Sequence, residues 1–126
     1  MKAPDWRALA EVAHLPVEGD VIVIQFDENG RSHRVRIESG TDGFRVWAVV
    51  VAAPQRLGRN DIDIRAWRRN AATDLVGFRT DHRGRLIGEA WIPYAGITAS
   101  EFAAYVCATA EASDRFEHLL TGRDLE

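Results

Sequence analysis

A short β-hairpin followed at once by a capped helix is the sequence feature that most constrains this fold. Residues 75–79 and 86–92 carry the apolar, β-branched and aromatic side chains of two strands, and residues 81–84 between them supply turn chemistry. Thr98 then stands three residues before Glu101, in the T-x-x-E pattern of a capping box. The C-terminal part of the chain therefore predicts a hairpin that leads into one long helix.

The long helix carries a single stripe of large apolar residues at spacings of three and four, which is typical of a helix that packs on a core. The stripe consists of Phe102, Tyr105, Val106, Phe116, Leu119 and Leu120, with the smaller Thr109 and Ser113 in its middle. Gly122 is a residue type that ends helices. In the hairpin, Gly77 and Gly88 predict close packing by a neighbouring large side chain, or a β-bulge.

The first half of the chain predicts a short helix and a three-stranded meander. Residues 4–15 have apolar side chains at helical spacing. Residues 21–26 are apolar at nearly every position, as in a strand buried on both faces, whereas residues 33–38 alternate between apolar and polar. Residues 44–53 form another apolar run, broken only by Arg45, and are predicted to be a central strand.

A second helix is predicted over residues 61–72, where Ile64, Trp67 and Ala71 have helical spacing. The predicted element order is α-β-β-β-α-β-β-α. Antiparallel neighbours with short connections then give an α+β fold, in which a five-stranded antiparallel sheet packs against the long C-terminal helix. With 126 residues the chain is expected to be a single domain, residues 1–126.

Composition and charge narrow the function classes. Hydrophobic residues make up 46% and charged residues 28% of the chain, as in an ordinary globular protein, which argues against a disordered chain. The net charge of −3 gives no electrostatic reason to expect nucleic acid as the main partner. No apolar run approaches the roughly 20 residues of a membrane helix, and residues 1–7 are charged where a signal peptide would be apolar. We therefore expect a cytoplasmic protein without a membrane partner.

Residues with catalytic or metal-binding chemistry do not form a recognisable motif. The four histidines, none of them in a paired zinc motif, are His14, His33, His82 and His118. His82 lies in the predicted turn and His118 on the last helix, where we interpret both as surface residues. Cys107 has no second cysteine to pair with and no identifiable base, so we interpret it as a packing residue. The sequence thus predicts no enzyme, no metal and no cofactor.

Arginines are concentrated in and just before the second predicted helix, around a tryptophan. Five of them lie within fourteen residues: Arg56, Arg59, Arg65, Arg68 and Arg69. Arginine and tryptophan are both enriched at binding hot spots. We therefore select as partner-binding candidates Arg65, Trp67, Arg68 and Arg69. The alternatives are a base-stacking role for Trp67 and a solvated helix face whose charge is balanced by Asp61, Asp63 and Asp74.

The second half of the chain resembles the YbjN family, through residues 75–78, 81–86, 88–90 and 96–98 and the helix that follows them. By element order, acidic balance and length, the whole chain is also similar to the class I type III secretion chaperones, whose fold the YbjN group shares. The resemblance implies a chaperone-like homodimer that binds a polypeptide client or acts as a regulator. The predicted N-terminal helix is short for a secretion chaperone, so the mode of client binding is left open.

Three function classes are open at this point. We favour a non-catalytic protein that holds another polypeptide along a hydrophobic groove or a sheet edge. A small enzyme or small-molecule-binding domain would instead require a pocket where titratable groups converge in three dimensions. A structural subunit with one permanent partner is the third class. The tertiary arrangement of the side chains distinguishes these classes.

Overall fold

A computed structural model describes residues 2–26, 30–52, 61–71 and 75–121 of the chain. The described helices are α1 (Trp6–Val12), α2 (Asp61–Ala71) and α3 (Ala99–Thr121). The described strands are β1 (Val17–Glu18), β2 (Val21–Gln25), β3 (Ser32–Ser39), β4 (Gly43–Val51), β5 (Gly77–Thr80) and β6 (Leu86–Pro93). None of the described helices combines the length and the apolar content needed to cross a membrane.

All described strands join one antiparallel sheet with the order β1-β2-β3-β4-β6-β5. The predicted α+β class is confirmed, and so are the central position of β4 and the two-sided burial of β2. The predicted number of five strands is wrong, because β1 adds a sixth at the edge beside β2. A strand of two exposed residues is too short to leave a periodic pattern in the sequence.

Helices α1 and α3 pack on one face of the sheet and enclose the larger of two apolar clusters. Its members include Ala10 on α1, Ile22, Val35, Phe44 and Ile92 on the strands, and Phe102 and Val106 on α3. The second cluster lies towards the other end of α3 and includes Val50, Ile62, Phe78, Leu86 and Phe116. The long C-terminal helix therefore spans both clusters and connects the two halves of the sheet.

The predicted stripe of α3 is confirmed with one exception. Phe102, Val106, Thr109, Ser113, Phe116 and Leu120 are buried against the sheet. Leu119 is 40% exposed, so its assignment to the stripe is wrong: it lies about 100° around the helix from Leu120, outside the buried face. The predicted cap is confirmed, since the Glu101 backbone N–H donates to Thr98 Oγ1 at 3.1 Å.

Close packing of α3 on the sheet depends on Gly88 in β6. A Cβ atom added there would overlap Ser113 Oγ on α3 and would stand 3.0 Å from Phe78 Cε1 on β5. The prediction of close packing is thus confirmed at Gly88. It is wrong at Gly77, where an added Cβ meets no described atom within 4 Å.

Helix α2 covers the β5 edge of the sheet. Ile62 and Ala66 are its buried residues, and the Asn70 side chain bonds to both backbone groups of Phe78. The amide Nδ2 donates to Phe78 O at 3.0 Å, and Phe78 N–H donates to Asn70 Oδ1 at 2.6 Å. These are the groups that an added strand would use, so α2 already occupies this edge at Phe78.

Candidate functional site

The apolar stripe predicted for α2 points away from the sheet. Ile64 is 56% exposed and Trp67 is 74% exposed, whereas Ile62 and Ala66 form the buried face. The helical spacing of Ile64 and Trp67 correctly predicts a helix, but the packing contacts are made by Ile62 and Ala66, which lie one turn apart on another face of that helix. Two large apolar side chains are therefore left on the surface.

The four candidate residues on α2 separate into two pairs. Trp67 and Arg68 are exposed. Arg65 instead donates to the Leu119 carbonyl on α3 at 3.1 Å and lies 3.7 Å from Asp61, and the Arg69 guanidinium lies 5.9 Å from the Phe116 ring centroid. Arg65 and Arg69 thus contact the helix pair itself. We define the α2 surface as Ile64, Trp67 and Arg68; Arg56 and Arg59 of the sequence cluster lie outside the described residues.

The sheet face opposite α3 carries a second concentration of arginine around a tryptophan. Every second residue of a strand lies on this face, and strand pairing brings these residues together. Across β3 and β4, Arg36 pairs with Trp47 and Glu38 pairs with Arg45. On the other side of β4, Trp47 pairs with Glu89 and Arg45 pairs with Trp91 of β6. Side chains that are distant in sequence are thereby placed in one layer.

Trp47 lies at the centre of this layer. The guanidinium carbons of Arg36, Arg45 and Arg85 lie 5.9, 5.1 and 5.1 Å from a Trp47 ring centroid, within cation–π range. A cavity of about 590 Å³ adjoins the ring. We call it the Trp47 cavity; its lining residues are Arg36, Glu38, Arg45, Trp47, Arg79, Asp81, His82, Arg83 and Arg85.

Glu89 of β6 holds two of these arginines in place through hydrogen bonds. It accepts from Arg45 Nε at 2.7 Å and from Arg79 Nε at 2.5 Å, and Arg45 also pairs with Glu38. Burial alone would raise the pKa of Glu89, but the hydrogen bonds from Arg79 and Arg45 outweigh it and hold that pKa below its usual value. The hydrogen bond to Glu89 also raises the pKa of Arg79. Glu89 is therefore ionised at neutral pH and orients both guanidinium groups.

Asp81 organises the turn that supplies the other side of the cavity. Its Oδ1 accepts the backbone N–H groups of Arg83 and Arg85 at 3.0 and 2.9 Å, and its Oδ2 accepts Arg85 Nε at 2.9 Å. Burial raises the pKa of Asp81, but these hydrogen bonds together lower it below the usual value. Gly84 adopts the positive φ predicted for this turn, at +78°. These bonds hold the backbone at Arg83 and Arg85, and they orient the Arg85 side chain.

The described residues that could hold a metal ion are His33, Asp114 and Glu117, whose ligand atoms lie within 4.8 Å of one another. His33 Nδ1 is 3.8 Å from Asp114 and 4.0 Å from Glu117, while His33 Nε2 bonds to the Val49 carbonyl at 2.9 Å. Arg31 Nη2 lies 2.8 Å from Asp114 Oδ2 and supplies the positive charge that a metal would bring. The contacts present are therefore those of a buried ion-pair cluster.

Two of the sequence interpretations concern His118 and Cys107 of α3. The surface position expected for His118 is wrong: only 7% of it is exposed, and its Nε2 lies 3.8 Å from Asp114. The packing role of Cys107 agrees with its half-buried position beside the larger apolar cluster. Burial raises the pKa of the Cys107 thiol, and the carboxylate of Glu111 raises it further, which disfavours the reactive thiolate.

Comparison with known proteins gives a result for the fold. No protein-family model matches the sequence, and no curated protein matches it. Among solved structures, the chain is similar to YbjN from E. coli, a candidate transcription regulator, with a TM-score of 0.67 and 12% sequence identity over 94% of this chain and 90% of that one. It is also similar to a chain of the ExsC–ExsE complex, with a TM-score of 0.52 and 20% identity over 90% of this chain and 91% of that one. The expected YbjN and secretion chaperone-like fold is confirmed.

The Trp47 cavity was not found by reading the sequence. Its arginines come from three strands and one turn, and none of these arginines is next to another in the sequence. The available signal was the alternation of arginine with apolar residues in β3 and β4, which puts Arg36, Arg45 and Trp47 on one face. Strand order and register, which the sequence pattern leaves open, were needed to bring β5 and the turn to the same place.

Proposed function

We propose that this protein is a non-catalytic protein-binding module that binds a polypeptide partner through the α2 surface. The observation that carries the proposal is the 74% exposure of Trp67 beside the 56% exposure of Ile64. Large apolar side chains that lie together on a surface mark interaction sites, and tryptophan contributes most strongly to binding hot spots. Arg68 next to them suits an acidic group of the partner.

The likeness of the fold supports this proposal, because one similar solved structure is itself a complex, of ExsC with ExsE. The position of α2 narrows the mode of binding. Since Asn70 occupies the backbone groups of Phe78, strand addition at this point of the β5 edge is blocked. We therefore favour side-chain contacts with the α2 surface over the sheet edge. The cytoplasmic location expected from the sequence stays part of this proposal.

Replacement of Trp67 by alanine is expected to reduce capture of a binding partner at least about tenfold, because truncation of a hot-spot tryptophan costs ~2 kcal/mol or more. Arg68→Glu should reduce capture as well, by reversing the charge that faces the partner. Both side chains are exposed, so the melting temperature should stay within about 2 °C of the wild-type value. The measurement is quantitative capture by the tagged protein from its own host's lysate, with stoichiometry by mass spectrometry.

Matched controls are available on other surfaces of the chain. Val12→Ala truncates an apolar side chain of similar exposure, 69%, on α1, and Arg115→Glu reverses an exposed charge on α3. Capture of one protein at near-equal amounts by the wild type and by both controls, but not by the two α2 variants, supports the proposal. If Trp67→Ala and Arg68→Glu capture that protein as well as the wild type does, the α2 surface is not the binding site.

We further propose that the protein is a homodimer whose contact lies at the Trp91 end of the open sheet face. Trp91 stands there beside a shallow, mainly apolar cavity of about 420 Å³ lined by Thr41, Asp42, Gly43, Ile92 and Pro93. An exposed tryptophan next to an apolar recess suits a symmetric contact, in which each copy's side chain enters the other's recess. The resemblance to dimeric chaperones supports the same assembly.

Light scattering after gel filtration should give about twice 14.1 kDa for the wild type at micromolar concentration. Trp91→Ala should shift the mass towards 14.1 kDa, and Trp67→Ala, its matched control, should not. A clean 14.1 kDa species for the wild type would rule out the dimer. A dimer that survives Trp91→Ala would place the contact elsewhere.

A further inference from the structure

We propose that the Trp47 cavity binds the phosphate group of a small phosphorylated molecule. This inference is independent of the α2 surface, which lies on the helix that covers the β5 edge. It corresponds to the alternative function class of a small-molecule-binding domain, because charged groups from separate segments of the chain converge at the cavity. Its volume of about 590 Å³ is within the range of small-ligand sites.

The first argument is an excess of positive charge. Five guanidinium groups line the cavity, and the carboxylates of Glu38, Asp81 and Glu89 stand against them, which leaves two positive charges in excess on a chain whose net charge is −3. Arg45, Arg79 and Arg85 are the ion-paired members. Within the described residues, Arg36 and Arg83 have no carboxylate at ion-pair distance, so their donors are available to an anion.

The second argument is a surplus of hydrogen-bond donors. The indole Nε1 of Trp47 is buried and has no acceptor in the part of the chain that the structure describes. Arg36 contacts the Trp47 ring at 5.9 Å, and a guanidinium that stacks on an aromatic ring keeps the N–H groups of its edge free for an acceptor. Both groups are donors only, so they cannot bond to each other. An oxyanion would supply acceptors to Trp47 and to Arg36 at once.

Phosphate fits these donors better than a carboxylate does. A carboxylate offers two oxygens in one plane and one charge, which matches a single guanidinium. A phosphate monoester has three terminal oxygens and a charge of about −1.5 to −2 at neutral pH, which matches an excess of two charges and donors that approach from several sides. Arg83 from the turn, Arg36 from β3 and Trp47 from β4 approach from such different elements.

Binding can be measured by titration of the uniformly ¹⁵N-labelled protein with inorganic phosphate, at constant ionic strength, while the indole N–H signals of the four tryptophans are followed. Trp47→Phe identifies the relevant signal. We expect this signal alone among the four to shift strongly and to saturate. Methyl phosphate, a simple monoester, should produce the same shift, and citrate, a carboxylate anion, should bind more weakly than either.

The double variant Arg36→Gln/Arg83→Gln should weaken phosphate binding about tenfold or more, because it removes two charged donors and breaks no ion pair. The charge-matched control is Lys2→Gln/Arg115→Gln, at two exposed positions away from the cavity, and it should bind phosphate as the wild type does. Absence of a saturable Trp47 shift, equal weakening in the control, or tighter binding of citrate would each overturn the proposal. Partner capture through the α2 surface should be unchanged in the Arg36/Arg83 variant, so the two proposals fail or survive separately.

Discussion

Gly88→Val is expected to lower the free energy of unfolding by about 3 kcal/mol, at the upper end of the cost of overpacking a core. Gly88 lies in β6 between Ala48 of β4 and Phe78 of β5, and its missing side chain is what admits Ser113 of α3. Ser113 is fully buried, so it has no open space to move into. A valine would therefore push α3 away from the sheet or displace the Phe78 ring. Urea denaturation gives the free energy directly.

Gly77→Val is the matched control, because it places the same side chain on the same hairpin where no described atom lies within 4 Å of the new Cβ. We expect its stability to stay within about 0.5 kcal/mol of the wild type, or to rise slightly from the better strand propensity of valine. In a Gly88→Ala background, replacement of Ser113 by alanine should recover part of the stability that Gly88→Ala loses, with a coupling free energy of about 0.5 kcal/mol or more. A Gly88→Val protein as stable as the Gly77→Val protein would show that α3 does not need this close approach.

Asp114→Asn is expected to lower the free energy of unfolding by about 2 to 3 kcal/mol. Asp114 is 5% exposed and accepts from the Arg31 guanidinium at 2.8 Å, so the substitution removes a buried negative charge from a part-buried ion pair. Loss of one member of a fully buried ion pair costs about 3 to 5 kcal/mol, and the 28% exposure of the Arg31 side chain reduces that cost. Asparagine preserves the shape of the side chain, so the measured loss reports the charge. Thermal and urea denaturation at neutral pH provide the measurement.

Asp20→Asn tests the same kind of bond at the surface. Asp20 pairs with Arg7 at 3.0 Å, but its side chain is 89% exposed, and such pairs contribute about 0 to 1 kcal/mol. If Asp114→Asn costs no more than Asp20→Asn, the buried cluster does not stabilise the fold. A rise in melting temperature on addition of zinc that is lost in Asp114→Asn would instead identify His33, Asp114 and Glu117 as metal ligands.

Local sequence signals were enough to predict every described element of this fold except β1. Turn residues at 81–84 and the cap at Thr98 indicated about where β5 ends and where β6 and α3 begin, because turns and caps are satisfied by residues close to them in the chain. The predicted packing at Gly88 is confirmed as well, since a glycine inside a strand is costly unless a neighbour uses the space, but the sequence left open that Ser113 of α3 is that neighbour. β1 escaped prediction because a two-residue strand is defined only by its partner.

The tertiary structure alone decided which surfaces are available for binding. On α2 the stripe with the larger side chains, Ile64 and Trp67, is exposed, because the space between α2 and the sheet is filled by Ile62 and Ala66. The Trp47 cavity exists only once β3, β4 and β6 are in register and β5 lies outside β6. Periodicity in a sequence specifies which residues share one face of one element, whereas the meeting of faces depends on contacts between residues far apart in the chain. The sequence by itself therefore determined the α+β elements, and their packing determined where this protein presents its tryptophans and arginines.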